Sequence, residues 1–535
     1  MLFGSFLLPF LVLFLPLAES LHVTPDIADE QLRNVYDYII VGGGTAGLTI
    51  ANRLSENPAV SVLVLEAGPL DDARNLSIPG GLLPVPGTIG SGGWQKYQWG
   101  LTTEPQTYLN NQNMGIPQGK AVGGSSILNG LCWSRGSSEK FTFNVEPHDA
   151  QELHIRPQSA AHGYNGSVHV SYPQYFYDQS SNVLDGFAEL GLPIVGDVNN
   201  GTAAGAMILP SSMHPDNQTR FDAREAHFNS ASSSNSAHNS SQRVMGVEVS
   251  GIGPSDVLKS LNISVKIDLP GVGYNLQDHP MVYANYYYRN ESYFRSDEIT
   301  DDVYDKVAEE YIQNRTGPWT APLINTVAFP SLRSAIGDWK QFMNKSSGNG
   351  IPSNTPNSVK KGYEGQLTVA AQKTFSRGTV RPSSSSIFDL PKLDPRYCSD
   401  PIDCEIIVLG LQMNTKLVQT NAMKELIPEA ESALDTTDHE TLMKHVMEKI
   451  TTERHPSGTA AMMPLDLGGV VDPELKVYGT CNLRIADASI MPLIPSAHLQ
   501  ASVYAIAEKA SDMIKSAKSD WRIGERLPPR SRTTI

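Results

Sequence analysis

The segment from Asp37 to Glu66 constrains this chain more than any other stretch of its 535 residues. It reads as a strand (Tyr38 to Val41), a glycine turn (Gly42-Gly-Gly44-Thr45-Ala46-Gly47), a helix (Leu48 to Leu54), a second strand (Val62 to Leu65) and an acidic cap, Glu66. The run Tyr38–Val41 has the continuous apolar character of a buried parallel strand. Gly42 permits the tight turn, Gly44 lets a pyrophosphate approach the backbone, and Gly47 lets the helix pack close to the strand. The helix N-terminus, entered through Thr45 and Ala46, offers unpaired N–H groups and a partial positive charge to phosphate. Glu66 falls at the offset of about 20 residues where a carboxylate meets ribose hydroxyls. Three glycines alone are weak evidence, but here strand, helix, second strand and carboxylate all fall in place. The unit predicts a bound dinucleotide. A carboxylate at this position argues against a 2′-phosphate and leaves NAD and FAD both open.

A chain of this length has room for two or more domains and a large core. Its net charge of −15 argues against nucleic-acid or anionic-membrane binding. Residues 1–20, rich in Leu and Phe and ending in small residues, read as a secretory signal peptide, with a signal anchor as the alternative. Nine N-x-[ST] sequons, at Asn75, Asn165, Asn200, Asn217, Asn239, Asn262, Asn290, Asn314 and Asn344, favour a secreted, N-glycosylated protein. No metal-type spacing is visible among Cys132, Cys398, Cys404 and Cys481. Cys398 and Cys404 flank a short Asp/Pro loop that suits either a disulfide or two separate thiols.

A second glycine-rich loop, Gly119-Lys-Ala-Val-Gly123-Gly124-Ser125-Ser-Ile-Leu-Asn129-Gly, follows a loop-rich stretch containing Trp94 and Trp99. Small residues packed this tightly suggest backbone lying against a flat or phosphorylated ligand. Residues 229–242 are a Ser/Asn-rich linker, and residues 345–361 form another polar loop. Helical patterns run from Asp403 to about Val418, from His439 to Ile450, and from about Gln500 to Ile514. His455 and His498 sit at junctions beside Pro, Ser and Gly, where side chains face clefts. Neutral imidazole is the natural base near neutral pH. Tyr286, Tyr287, Tyr288, Trp319 and Phe329 are candidates for an aromatic pocket lining, with core or surface packing as the alternative.

These pieces together resemble the glucose–methanol–choline (GMC) flavin oxidoreductases. The likeness runs from about Tyr36 to Lys515 through VGGGTAGLTIANRLSE, GKAVGGSSILNG, Ser250-Gly-Ile-Gly253, Gly271-Val-Gly-Tyr-Asn275-Leu-Gln-Asp278-His279, Ser376-Arg-Gly-Thr-Val-Arg381, HPSGTAAM and LRIADASIMPLIPSAH. The C-terminal run is most similar to fungal members of the aryl-alcohol oxidase, patulin synthase and versicolorin B synthase kind. The resemblance implies an α/β fold, with a Rossmann-like FAD-binding domain and a discontinuous antiparallel-sheet substrate domain. The FAD-binding domain would be built from residues 30–140, 220–275 and 455–518. The substrate-binding domain would comprise 141–219 and 276–454, followed by a tail at 519–535.

FAD rather than NAD is the implied cofactor. Gly42, Gly44, Thr45, Ala46 and Gly47 would hold its pyrophosphate and Glu66 its adenosine ribose. Gly123, Gly124, Ser125 and Asn129 would line the flavin and phosphate side, and Asp487 and Ala488 would close on both. Some relatives carry FAD covalently on a His in the second loop. Here that loop reads Ser125-Ser-Ile-Leu-Asn129, so non-covalent binding is expected. The resemblance also implies that His455 Nε2 takes the hydroxyl proton of an alcohol while hydride passes to flavin N5, with His498 orienting the same oxygen. The implied partners are a small-molecule alcohol and oxygen or another electron acceptor, with no nucleic acid and no stable membrane association. A non-redox cyclase of the versicolorin B synthase type, and a catalytically impaired flavin-fold protein, are the alternatives.

The chain departs from the family pattern in two places. Near residues 139–150 a Trp-containing helix is missing. Between Phe221 and Ser250 the strands expected around the adenine are replaced by the Ser/Asn linker, and only Ser250-Gly-Ile-Gly253 survives of a longer run. Two explanations compete: a reading frame assembled without some coding stretches, and a shortened protein with impaired flavin binding. Losses from a core sheet are hard to tolerate, which favours the first. Sequencing the transcript decides between them.

Overall fold

The computed structural model of the protein describes residues 22–23, 35–70, 77–82, 94–134, 141–144, 150–202, 204–229, 236–237, 243–294, 298–299, 301–322, 324–330, 363–430 and 438–523. The N-terminal unit folds as its sequence dictates. Strand Tyr38–Val41 runs parallel to Val62–Leu65, in register from Tyr38 opposite Val62 to Val41 opposite Leu65. Helix Thr45–Ser55 connects them and buries Ala46, Leu48, Ile50 and Leu54, mostly at i, i+4 spacing on one face. The C-terminal helix, Leu499–Ile523, continues nine residues past the expected stop at Ile514. It packs on the first helix through the fully buried Ala507 and Ala510. Arg53 pins that contact from the first helix, with Nε 2.8 Å from Glu508 and Nη2 3.0 Å from Asp512.

The strand Tyr38–Val41 is not buried on both faces as expected. Ile39 is 60% exposed and Val41 39% exposed. The reason is the size of the sheet. Among the described residues these strands form a two-stranded sheet, so nothing pairs with the free edge. A parallel strand loses its second apolar neighbour when the sheet ends there. The stretch 221–250, from which the expected strands are missing in the sequence, supplies no strand to this sheet among the described residues. Arg243–Val249 forms a short helix, which leads into the parallel pair Ile252–Gly253 and Ile267–Asp268. Its Glu248 is fully buried and accepts from Arg381 Nη1 at 2.9 Å. The linker at 229–242 lies almost wholly outside the described residues, as do residues 345–361 and the signal segment.

The second part is built on antiparallel strands. Pro280–Val282 lies between Val369–Ala370 and Thr451–Thr452. The same chain continues as Asn285–Tyr288, between Tyr363–Gln366 and Pro428–Ala430. Two helices close on this layer near the ends expected of them. Pro401–Leu417 starts with Pro at its first turn and the Asp400 side chain accepting from Ile402 N at 3.0 Å. His439–Lys449 starts with the Asp438 carboxylate accepting from Thr441 N at 2.9 Å. Ile407, Val408, Leu442 and Val446 from the two helices share one core with Val282. Cys398 and Cys404 are joined as a disulfide at the start of the first of these helices. Two of the proposed lining aromatics are core residues instead: Tyr286 and Trp319 are each 6% exposed and pack in separate apolar clusters. The reason is strand and loop direction, since Tyr286 alternates inward and Trp319 packs edge-on against Tyr304 and tilted against Tyr311. No described helix is long and apolar enough to cross a membrane.

Candidate active site

One cavity of about 1340 Å³ joins the glycine turns to the C-terminal histidines. Its wall takes Gly42, Gly44, Thr45, Ala46 and Glu66 from the first turn, and Gly124, Ser125 and Asn129 from the second loop. Asp487 and Ala488 come from the C-terminal segment, and Glu453, His455 and His498 from the far end. Gly47 and Gly123 are not part of the wall; each supports it from behind. A Cβ on Gly47 would lie 1.9 Å from the Gly42 carbonyl oxygen, so only glycine lets the helix sit this close to the strand. Gly123, at φ +102°, packs against Ile127 and Arg224.

The turn end is shaped for a phosphorylated ligand. Gly42 has φ +95°. The helix that follows has Gly44 at its cap, no side-chain cap and no acidic residue in its first turn, so its N–H groups face the cavity uncompensated. Gly124, at φ +57°, approaches so closely that a Cβ there would lie 2.7 Å from Gly44 Cα. The buried Glu66 carboxylate is held by N–H groups of Gly43 at 2.7 Å and Gly68 at 2.8 Å. Asn129 is fixed in three directions: Oδ1 accepts from Arg220 Nη1 at 2.8 Å and from Leu131 N at 3.1 Å, and Nδ2 donates to Gln500. Burial pushes the Arg220 guanidinium down to about 10. The Asp487 carboxylate accepts from Ser489 N at 3.0 Å and so opens the turn that carries Ala488. These residues fit a dinucleotide of the FAD kind.

The other end is an imidazole–carboxylate cluster. Thr451–Thr452 pairs with the strand Pro280–Val282, and the chain beyond it stays alongside. Glu453 N donates to His279 O at 2.9 Å, and Ser457 and Gln277 exchange backbone hydrogen bonds of 2.9 and 3.0 Å. His279, Glu453 and His455 are thereby brought together. Nδ1 of His279 lies 2.9 Å from Nδ1 of His455 and 3.2 Å from Glu453 Oε2. His498, anchored by its N–H to Ser134 Oγ at 3.1 Å, places Nε2 3.5 Å from Glu453 Oε1. The His455 and His498 rings stand edge to face with centroids 5.7 Å apart. Asp278 organises the backbone beneath them. Its Oδ1 accepts from both His279 N and His455 N at 2.8 Å, and its Oδ2 accepts from Tyr397 and Thr452 hydroxyls.

The charges follow from these contacts. Burial by itself would raise the Glu453 carboxyl, but attraction to the His455 and His279 imidazoles beside it holds it well below the usual carboxylate range. Burial pushes the His498 imidazolium down to about 4, against the pull of Glu453. The cluster therefore pairs one carboxylate with an imidazole, His498, that stays neutral at neutral pH.

Two of these four side chains, His455 and His498, are candidates on sequence alone, and Glu453 is not. Its signal was the spacing Glu453-Arg-His455, two residues upstream of the chosen histidine. Asp278 and His279 lie in the motif Gly271–His279, which by itself assigns them no role. Phe329 does line the cavity, and so do Trp94, Trp99 and Tyr283; none of the tyrosines 286–288 does.

A dinucleotide cradle continuous with an imidazole pocket is the arrangement of a cofactor-dependent oxidoreductase. The GMC oxidoreductase family supplies the closer assignment. Its N-terminal part matches residues 36–247 and its C-terminal part residues 374–507. The chain is 30% identical to the dehydrogenase xptC of Emericella nidulans, over 93% of this chain and 96% of the relative. It is similar in structure to an FAD-dependent oxidoreductase from Chaetomium thermophilum, at 29% identity and TM-score 0.79, covering 91% of this chain and 100% of the other. A fungal aryl-alcohol oxidase gives 25% identity and TM-score 0.77 over 91% and 100%. The chain belongs to the GMC oxidoreductase family. It has the family's fold, an FAD-binding Rossmann-like domain with a substrate-binding domain, and falls in an FAD-dependent enzyme class acting on CH–OH donors. The alignment with the E. nidulans dehydrogenase spans 612 positions, more than this whole chain of 535, so the relative carries segments that this chain lacks. The two-stranded sheet is in keeping with that difference.

Proposed function

We propose that this protein oxidises a primary or secondary alcohol of an aromatic or polyketide-derived metabolite, with His455 as the base. The single observation that carries the reading is the 2.9 Å contact between Nδ1 of His455 and Nδ1 of His279. It occupies one ring nitrogen and leaves Nε2 as the one available to a substrate hydroxyl. Glu453 offsets the positive charge that His455 gains as it takes the proton. His498 offers a neutral ring to the same oxygen and orients it. Bound FAD supplies the hydride acceptor, which no side chain can supply. Gly42, Gly44, Thr45, Ala46, Glu66, Gly124, Ser125, Asn129, Asp487 and Ala488 would hold it, and the loop at Ser125–Asn129 carries no histidine for a covalent link. Oxygen or another acceptor then takes the electrons. Aromatic side chains in the cavity wall, Trp94, Trp99, Tyr283 and Phe329, support an aromatic substrate.

The proposed location is the secretory pathway, with N-linked glycans. Of the described sequon asparagines, Asn165, Asn217, Asn262 and Asn314 are exposed and Asn200 and Asn290 half-buried, so all six are reachable. The Cys398–Cys404 disulfide suits an oxidising compartment. Endoglycosidase treatment of the native secreted protein should lower its apparent mass.

The open edge at Ile39 and Val41 favours a second reading, a flavin-fold protein with impaired binding. Visible absorbance of the purified protein separates the two, since the first requires retained flavin. Anaerobic addition of a benzylic alcohol then tests redox use. Bleaching supports oxidation; retained flavin that never bleaches with any alcohol supports a non-redox cyclase.

A further inference from the structure

His279, Glu453 and His455 form the one group of His, Cys, Asp or Glu residues among those described whose ligand atoms all lie within 4.8 Å of each other. Two imidazoles and a carboxylate are a recurrent donor set for zinc, with a fourth position left for solvent. The edges of the triangle are 2.9 Å between the two Nδ1 atoms, 3.2 Å from His279 Nδ1 to Glu453 Oε2, and 3.6 Å from His455 Nδ1 to the same oxygen. A tetrahedral zinc ion, with bonds of about 2.0–2.1 Å, needs donors about 3.3–3.4 Å apart. Shifts of a few tenths of an ångström would meet that requirement. The two histidines are pre-positioned, because Asp278 Oδ1 accepts the backbone N–H of each at 2.8 Å. Entry is open, because Glu453 and His455 line the cavity.

We infer that this triangle binds one divalent zinc-type ion, and that occupation switches off alcohol oxidation. The second half rests on the proposed role of His455. A neutral imidazole carries one proton on its two ring nitrogens. An ion on Nδ1 of His455 moves that proton to Nε2, the nitrogen that has to receive the substrate proton. The same ion takes up the negative charge of Glu453, whose Oε2 also accepts from Gln372 Nε2 at 2.6 Å, and so removes it as the counter-charge beside the ring. Binding displaces the single proton of the close Nδ1–Nδ1 contact to Nε2 of the ring that carried it, so each imidazole stays neutral, no net proton is released and no oxidation state changes.

The test uses the full-length flavin-loaded enzyme, treated with a chelator, titrated with zinc chloride and desalted. The inference expects one zinc per chain by plasma mass spectrometry, and zinc-edge X-ray absorption showing two imidazole donors with a carboxylate. Anaerobic flavin reduction by an alcohol should slow by about tenfold or more, and chelator should restore it. Glu453→Gln and His279→Gln should each weaken zinc retention by about tenfold or more while keeping flavin. The retention and absorption measurements need no substrate and use unaltered protein. Absence of retained zinc, or zinc held by other ligands, overturns the inference and leaves the proposed function standing. Retained zinc at this site with unslowed reduction overturns the switch and the assignment of His455 as base together.

Discussion

His279 and His455 face each other through the same ring atom, Nδ1 to Nδ1 at 2.9 Å, although 176 positions separate them in the chain. Only one of two neutral imidazoles can donate in such a contact, so His279 fixes how the His455 ring is turned and, in the proposed mechanism, which nitrogen meets the substrate. His279→Ala should therefore lower kcat by up to about 100-fold, the scale on which small displacements of a reacting group act. KM and flavin content should change little. Steady-state kinetics on flavin-normalised enzyme check this; an unchanged kcat would show that His455 needs no such partner.

Asp278 holds the two histidine N–H groups and two hydroxyls, and it is 4% exposed. Asp278→Ala leaves several buried donors without an acceptor, each worth about 1–3 kcal/mol. Asp278→Asn retains one oxygen and should lose less. Denaturant unfolding of the two variants should rank alanine below asparagine and both below the native protein.

The glycine cradle makes a sharper prediction about cofactor than about activity. Gly47→Ala drives a Cβ to 1.9 Å from backbone oxygen, and Gly124→Ala to 2.7 Å from Gly44 Cα at a positive φ. Both variants should elute from gel filtration with less flavin absorbance per protein than the native chain. Gly115→Ala, whose Cβ would meet only Leu101 O at 4.0 Å, should keep its flavin.

These positions also mark how much was legible in the sequence. The glycine turn, the acid at Glu66 and the helices at Pro401–Leu417 and His439–Lys449 follow from local spacing, and each formed where local chemistry placed it. The meeting of Asp278, His279, Glu453 and His455 was not legible. It depends on strand Thr451–Thr452 lying against Pro280–Val282, a pairing between distant segments that no local pattern encodes. The exposure of Ile39 and Val41 was hidden for a related reason. An apolar run announces a buried strand, but whether a neighbour covers it is settled elsewhere, here in the stretch 221–250, which supplies no strand to this sheet among the described residues.

Stability should fall in mild acid because of His227. It is 2% exposed, and burial pushes its imidazolium down to about 4. An unfolded histidine binds a proton near 6.5, so between there and 4 the unfolded state holds a proton that the native state refuses. The stabilising contribution is complete above pH 6.5 and is lost as pH falls toward 4, by about 3 kcal/mol. His498, also pushed to about 4, acts in the same direction. His227→Leu should flatten the fall between pH 6.5 and 4, read from unfolding midpoints at each pH. An unaltered slope would place the acid sensitivity elsewhere.

The role proposed for His455 is removal of the alcohol proton in a pocket continuous with the flavin cradle. Stopped-flow reduction of bound flavin by a benzylic alcohol under anaerobic conditions, in native protein and in His455→Ala with matched flavin content, tests it most directly. Bleaching is expected in the native protein, with a loss of rate of about 100-fold or more in the variant, the low end of what a general base contributes. Equal rates in the two proteins would contradict it.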